Sequence, residues 1–119
     1  MMEKFHDILN RKMDTLVHLV YHITKDFPKS EIFGATSQLR RAALSIILNY
    51  IEGYARKKKL VKINFFEISY GSLQETRYLL EFSFKEGWIK EDDYATAKGL
   101  GNEIGVMLWR TIENSSHDI

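Results

Sequence analysis

The chain has 119 residues, a length that suits one compact domain, and we assign residues 1–119 to a single domain. Its content of 45% hydrophobic and 13% aromatic residues can fill a core, and the absence of cysteine excludes disulfide scaffolds, thiolate zinc sites and cysteine nucleophiles. The net charge is only +1, no apolar run approaches a membrane span, and residues 1–10 lack the apolar segment of a signal peptide, so we expect a cytoplasmic protein with no membrane partner.

The first predicted helix is marked by apolar residues that recur at helical spacing from Phe5 to Phe27. This pattern predicts a helix near residues 3–27. Pro28 ends it, because the residue before a proline avoids the α region of backbone space.

The second helix is predicted to start at Ser30 or Thr36, either of which can cap it, and to run to about Tyr54. Its apolar residues cover one broad arc. Arg40 falls within that arc, so its guanidinium must reach out to water or find a carboxylate. A narrow polar stripe opposite the arc consists of Gln38, Arg41, Ser45, Asn49, Glu52 and Arg56.

The third helix is predicted over about 60–86, ending at Gly87, and the fourth over about 91–113. Asp92 and Asp93 lie in the first turn of the fourth helix, where carboxylates interact favourably with the helix dipole. No segment has the pattern of a strand. Long amphipathic helices joined by short connections predict an all-α fold, an antiparallel up-down-up-down four-helix bundle.

The apolar faces are wider than a monomeric bundle of this size needs, and the third helix is apolar over more than one face. Large exposed apolar patches usually mark interfaces, so we expect a homo-oligomer, with a generous core as the alternative. The apolar residues that flank the main stripes are Met13, Val17, Tyr21, Val106 and Trp109, and a small-residue row that would let another helix approach closely is Ser69, Ser72, Thr76 and Ser83.

A metal site is not expected. His18 and His22 lie four residues apart and Asp14 extends the row, but this row is on the polar face and no second ligand pair appears elsewhere. A Glu-x-x-His motif occurs once, at Glu3 and His6, whereas di-iron bundles require two such motifs on different helices. We therefore predict no metal and no cofactor.

Catalytic motifs are also missing from the sequence. It contains no glycine-rich phosphate loop and no arrangement of nucleophile and base, so we predict that the protein is not an enzyme. The carboxylates of Glu52 and Glu75 are expected to be structural partners of Arg40, Arg41 or Arg77.

Residues 54–62 concentrate positive charge, with five cations and no acid, so the rest of the chain carries a net charge of −4. Such a run is most often a solvated connection, but here it continues the polar stripe that holds Arg41, and oligomerisation would multiply it into a ring of cations. This geometry favours salt-dependent binding of nucleic acid, to which Tyr54 adds base stacking if it is exposed. The residues alone leave a pure protein-interaction role equally open. The cations are Arg56, Lys57, Lys58, Lys59 and Lys62.

Two strings resemble the signatures of a known family. FPKSEIFGATSQLRRAALSIILNYIEGYARK and the later GSLQETRYLLEF are similar to the two motifs of the 23S rRNA intervening-sequence proteins, in the same order and at the right separation. Ile47 stands where many members have proline, and Tyr50 and Ile51 replace the usual Ile-Ala.

The resemblance implies an antiparallel four-helix bundle, often a homopentamer, with no established enzyme activity. Some members are encoded inside intervening sequences of 23S rRNA genes. A more distant relative, the accessory variability determinant of diversity-generating retroelements, is a basic pentamer that binds nucleic acid and reverse transcriptase. The signature residues carried over by position are Gln38, Arg40, Arg41, Asn49, Glu52, Gly53, Gly71, Ser72 and Glu75.

Together these observations predict a non-enzymatic, oligomeric helical protein that binds RNA or DNA through Arg41 and the basic connection between helices 2 and 3. The alternative is a protein–protein scaffold, or an accessory subunit for a nucleic-acid enzyme such as a reverse transcriptase. In either case we expect Arg40 to be structural and Arg41 to be available to a partner.

Overall fold

Four long α-helices account for most of residues 4–117, the part of the chain that this computed structural model describes. The helices are α1 (Phe5–Thr24), α2 (Ala35–Ala55), α3 (Lys59–Lys85) and α4 (Glu91–His117), with a 3-10 turn, Lys29–Glu31, between α1 and α2. Each helix packs against its neighbours in the chain, and α1 also packs against α4, which closes the bundle. The described residues contain no β-strand, and the prediction of an all-α four-helix bundle is confirmed.

The buried apolar residues form one contiguous cluster to which all four helices contribute. Within each helix they recur every three or four residues, the spacing that places side chains on one face. The assignment of residues 1–119 to one domain stays a prediction, because residues 1–3 and 118–119 lie outside the described part. The most enclosed side chains include Leu9, Leu16, Val20, Leu39, Ile46, Leu73, Leu80, Ile104 and Leu108.

The first helix is shorter at its C-terminus than the sequence predicts. It ends at Thr24, whereas the apolar pattern continues to Phe27. The backbone N–H groups of residues 25–27 bond to carbonyls three residues back, the tighter bonding with which many helices finish. The predicted start near residue 3 lies outside the described residues.

The start of the second helix also differs from the prediction, because neither Ser30 nor Thr36 caps it. α2 begins after Gly34, and Glu31 satisfies its N-terminus by accepting a hydrogen bond from the backbone N–H of Ala35 at 3.1 Å. The cap therefore comes from a carboxylate in the preceding turn, which satisfies one of the free N–H groups of a helix start in the same way as a capping hydroxyl.

The third helix ends as predicted, at a glycine. The backbone N–H of Gly87 donates to the carbonyl of Phe84 at 2.9 Å, and that of Trp88 donates to Ser83 at 3.0 Å. Gly87 has a φ of 83°, the left-handed conformation that this hydrogen-bonded ending requires. Glycine is the residue that adopts it without steric cost.

The fourth helix begins with acids in its first turn, as predicted, but continues to His117, four residues past its predicted end near 113. Thr111, Ser115 and Ser116 each donate a hydroxyl hydrogen bond to the carbonyl four residues earlier. Because their hydroxyls are satisfied within the helix, these polar residues do not end it.

The helices α2 and α3 approach closely along the small-residue row. Ser69 is fully buried and donates its hydroxyl to the backbone carbonyl of Ile46 at 2.6 Å, and Thr76 and Ser83 are also fully buried. The predicted close approach of another helix is confirmed, and that helix is α2.

The predicted surplus of apolar surface is partly wrong. Met13 and Val17 are buried in the core, whereas Val106 and Trp109 remain about half exposed. Other large apolar side chains also face solvent, and homo-oligomer formation stays a prediction. They include Ile32, Phe33, Leu48, Ile51, Leu60, Ile68 and Tyr78.

Candidate nucleic-acid interface

The connection between α2 and α3 places its lysines at one end of the bundle. Lys57, Lys58 and Lys59 are exposed, and the backbone of Lys58 is extended as it enters α3. No side chain caps the start of α3, and its first turn contains no acid. The positive end of the α3 dipole therefore adds to the potential of the lysines.

Lys62 has a structural role in addition to its charge. Its ammonium donates hydrogen bonds to the carbonyls of Gly53 and Tyr54, at 2.9 and 3.0 Å, and so satisfies two acceptors in the last turn of α2. The same nitrogen lies 5.4 Å from the ring centroid of Tyr54 and 5.6 Å from that of Phe66. These contacts fix the position of the Lys62 ammonium. That Lys62 contacts a phosphate stays a prediction.

Arg56 is held beside the run by a carboxylate. It forms an ion pair with Glu52 one turn earlier, and its guanidinium carbon lies 5.3 Å from the ring centroid of Phe65. The predicted partners of Glu52 (Arg40, Arg41 or Arg77) are therefore wrong, because a residue one helical turn away is closer than any of them. Both side chains of the pair remain nearly half exposed, so the pair leaves Arg56 accessible.

Arg41 is separated from the lysines within one chain. It lies 15 residues before Arg56, about 22 Å along α2 at the rise of an α-helix. It lines a different surface cavity of about 440 Å³, together with Phe33, Gln38 and Glu75. The structure therefore brings Arg56, the three exposed lysines and Lys62 together but does not bring Arg41 to them.

Arg40 anchors α2 to the end of α1. Its Nε donates to the hydroxyl of Thr24 at 2.8 Å, and its guanidinium carbon lies 4.7 Å from the ring centroid of Tyr21. These contacts support the structural role expected of Arg40, which stays a prediction, and its partners are a hydroxyl and an aromatic ring, not a carboxylate. Thr24 also donates to the carbonyl of Val20, so its hydroxyl both donates and accepts.

Two signature residues, Asn49 and Ser72, form a polar network with Ser45 between α2 and α3. Ser45 and Ser72 are hydrogen-bonded across the helix interface at 2.7 Å, and the side-chain amide of Asn49 donates to both the hydroxyl and the carbonyl of Ser45 at 2.9 Å. All three side chains are half-buried, so the network orients the two helices that carry the basic connection.

The two signature glycines have different surroundings. A Cβ on Gly53 would lie 2.8 Å from two ring carbons of Phe66 and 3.1 Å from the carbonyl of Lys62, so glycine is required where α3 turns back against α2. A Cβ on Gly71 would meet nothing within 4 Å. Packing among the described residues therefore explains glycine at position 53 but not at position 71. The remaining signature residues, Gln38 and Glu75, are exposed.

The bundle topology brings further residues to the basic end that the sequence analysis did not identify. Lys4 and His6 at the start of α1 and Arg110 near the end of α4 line an open cavity of about 600 Å³ with Tyr54 and Lys62. The signal that would have found them is the antiparallel order, which places the N-termini of α1 and α3 beside the C-termini of α2 and α4.

Tyr50 lies beneath this cavity and is almost fully buried. Its hydroxyl is hydrogen-bonded to Nδ1 of His6 at 2.8 Å. Burial, with smaller contributions from Tyr54 and Asp7, raises the pKa of Tyr50 to about 12, so this phenol is neutral at physiological pH. It supports the position of the His6 ring and adds no negative charge.

The residues described here contain no group of three His, Cys, Asp or Glu side chains arranged to hold a metal ion. His18 is instead 3.5 Å from Asp14, with both side chains exposed. None of the described helices is long and apolar enough to cross a membrane.

Comparison with known proteins gives two findings. The family model for the 23S rRNA-intervening sequence protein matches residues 7–110. A crystal structure of a protein of unknown function from the S23 ribosomal protein family of Bacteroides thetaiotaomicron VPI-5482 superposes with a TM-score of 0.80, at 22% identity, covering 87% of this chain and 97% of that chain. The search of curated proteins found no match. At this identity the structural likeness shows the fold.

Proposed function

Because the chain belongs to the 23S rRNA-intervening sequence protein family, we propose that it is a non-enzymatic, oligomeric, cytoplasmic protein that binds RNA or DNA through the basic connection between α2 and α3. The observation that carries the proposal is the exposure of Lys57, Lys58 and Lys59 beside Arg56, at the uncapped start of a helix.

The energetic basis is the release of counterions from phosphates. Each lysine or arginine that neutralises a phosphate displaces condensed cations, so affinity falls steeply with salt and depends little on sequence. The ion pair with Glu52 partly neutralises the charge of Arg56. The lysines of the connection are therefore the main source of its positive charge.

Oligomerisation is the second part of the proposal. Exposed apolar side chains, among them Val106 and Trp109 on α4, support burial against further copies of the chain. A ring of copies repeats the basic connection, so that one nucleic acid contacts several connections at once. In such a ring, Arg41 of one copy can also contribute to binding, although it is distant from the lysines of its own chain. A pentamer, as the family resemblance implies, would sediment at about five times the 14.0 kDa mass of one chain.

The test is filter binding of a structured RNA and of duplex DNA at two salt concentrations. The wild-type protein is expected to bind more tightly at low salt, and simultaneous change of Lys57, Lys58 and Lys59 to alanine to weaken binding and lower the salt slope by about one for each phosphate that is no longer neutralised. The matched control changes Lys25, Lys29 and Lys90, which are also exposed but lie at the opposite end of the bundle, to alanine. Absence of binding at low salt, or equal reductions of affinity in both triple variants, contradicts the proposal.

A second candidate is an accessory subunit for a nucleic-acid enzyme such as a reverse transcriptase, which the exposure of Phe33 favours. This side chain is 93% exposed and lies beside Gln38, Arg41 and Glu75, so it offers an apolar contact within a polar surface. Co-sedimentation with a purified reverse transcriptase of a diversity-generating retroelement tests it: Phe33→Ser would abolish the complex while the lysine variant retains it. No complex with the wild-type protein, or one that Phe33→Ser leaves intact, contradicts this candidate.

A further inference from the structure

The open cavity at the basic end of the bundle combines aromatic surface with positive charge. Its volume of about 600 Å³ is within the range of small-molecule sites, and all four helices contribute to its lining. It lies next to the basic connection, because Tyr54 and Lys62 stand on either side of residues 56–58 in the chain.

One part of the lining is a pair of stacked rings. The rings of His6 and Tyr54 are nearly parallel, with an interplanar angle of 13° and centroids 3.7 Å apart. His6 is fixed from below by its hydrogen bond to the Tyr50 hydroxyl, and Tyr50 stacks in turn on Phe66. Because Tyr54 is 53% exposed, the pair offers a preorganised aromatic surface to a ligand.

The other part of the lining is cationic. The ammonium of Lys62, positioned by the Gly53 and Tyr54 carbonyls, uses two of its three donors in the fold, and the side chains of Lys4 and Arg110 line the same cavity. Among the described residues that line it there is no Asp or Glu. Asp7, whose charge reaches Tyr50, is not among the lining residues.

We propose that this cavity holds one nucleotide of a bound strand, with the base against Tyr54 and His6 and its phosphate between Lys62, Lys4 and Arg110. The Lys62 nitrogen lies 5.4 Å from the Tyr54 ring centroid, so one nucleotide reaches both parts of the lining. This inference rests on the proposed function: the lysines of the connection hold neighbouring phosphates, and the cavity takes a single unstacked base. The ligand must be both aromatic and anionic, a combination that neither a free base nor inorganic phosphate offers.

The first experiment titrates the full chain with AMP, adenosine and inorganic phosphate, followed by amide resonances in NMR. AMP is expected to shift the amides of His6, Tyr54 and Thr111, with weaker effects from adenosine and from phosphate. If AMP shifts none of these amides, or if phosphate alone binds as tightly as AMP, the inference is overturned.

The second experiment measures single-stranded RNA affinity for Tyr54→Leu and Arg110→Gln. Loss of stacking with one base predicts that Tyr54→Leu binds single-stranded RNA about tenfold more weakly. The matched control is Tyr78→Leu, which removes an exposed tyrosine that lies on α3, away from the cavity. Arg110→Gln is expected to lower both RNA affinity and AMP binding, and far-ultraviolet circular dichroism verifies that each variant is folded.

The outcomes separate this inference from the proposed function. If the wild-type protein binds RNA through the lysines, but Tyr54→Leu and Tyr78→Leu bind equally well, the cavity proposal fails and the proposed function stands. If the wild-type protein binds neither RNA nor DNA, the proposed function fails, and a strand-bound nucleotide in the cavity fails with it.

Discussion

The two ends of the bundle are built in different ways. At the end where α3 meets α4, Gly87 completes a hydrogen-bonded helix ending, and α4 starts with acids that favour its dipole. Trp88 packs there between Phe27 and Phe82, with centroids 5.4 and 6.0 Å away. At the end where α2 meets α3, lysines surround the start of a helix that has neither a side-chain cap nor an acid.

The difference between the two ends lies in how the helix termini are satisfied. A hydrogen-bonded helix ending and acids at the start of α4 stabilise the first end, whereas cations next to the positive end of a helix dipole destabilise the start of α3. Lys62 partly offsets this by binding two carbonyls of α2, but Lys57 and Lys58 are exposed beyond it. An arrangement that costs stability and presents charge to solvent is typical of a binding surface.

The largest effect on stability is expected from Gly53→Ala at the basic end. The new Cβ would lie 2.8 Å from the buried ring of Phe66, so the ring or the helix must shift, at a cost of about 2 kcal/mol. Urea unfolding at fixed protein concentration measures it. The control is Gly99→Ala, where a Cβ meets nothing within 4 Å and better helix propensity adds up to about 1 kcal/mol. Equal behaviour of the two variants would show that the close approach of α2 and α3 at Gly53 is not required.

At the opposite end, Gly87→Ala is expected to lower the free energy of unfolding by about 1–2 kcal/mol, because alanine is strained at a φ of 83°. The same urea titration measures this loss. Gly87→Asn serves as its control, since asparagine tolerates this region better and should recover part of the loss. If Gly87→Ala is as stable as the wild-type protein, the glycine ending of α3 does not stabilise this end of the bundle, and the contrast with the uncapped start of α3 is lost.

Lys62→Met is expected to cost about 1 kcal/mol, since it removes two hydrogen bonds to the end of α2 and keeps the apolar stem. Lys58→Met, an exposed neighbour in the same run, is the comparison and should leave thermal stability unchanged. If both variants unfold at the same temperature, Lys62 does not cap α2.

The smallest effect is a gain. Replacing Lys57 and Lys58 together by alanine should raise the free energy of unfolding by about 0.5 kcal/mol at low salt, because like charges beside the α3 N-terminus are removed. High salt should reduce this gain by screening. A loss of stability at low salt would show that these lysines support the fold, contrary to the comparison of the two ends.

The sequence predicts the fold class, and it predicts α3 within one residue of its observed bounds. It fails at Thr24 and at the start of α2, because those boundaries depend on hydrogen bonds that single-residue preferences do not specify. The structural role of Arg40 follows from its place on the apolar arc, whereas its partner Thr24 lies on another helix. The wrong partners predicted for Glu52 have a different cause, because its partner Arg56 lies four residues later, at the C-terminal end of the same helix, at a spacing that the sequence itself shows.

The sequence by itself determined the four helices, through apolar residues at helical spacing, and the position of the basic run between the second and third. Only the tertiary structure decided that Lys62 caps α2, that Arg41 stands about 22 Å from Arg56, and that His6 and Arg110 join Tyr54 around one cavity. The reason is physical: periodicity records which face of a helix is apolar, but the neighbours of each side chain are set when helices distant in the chain pack together.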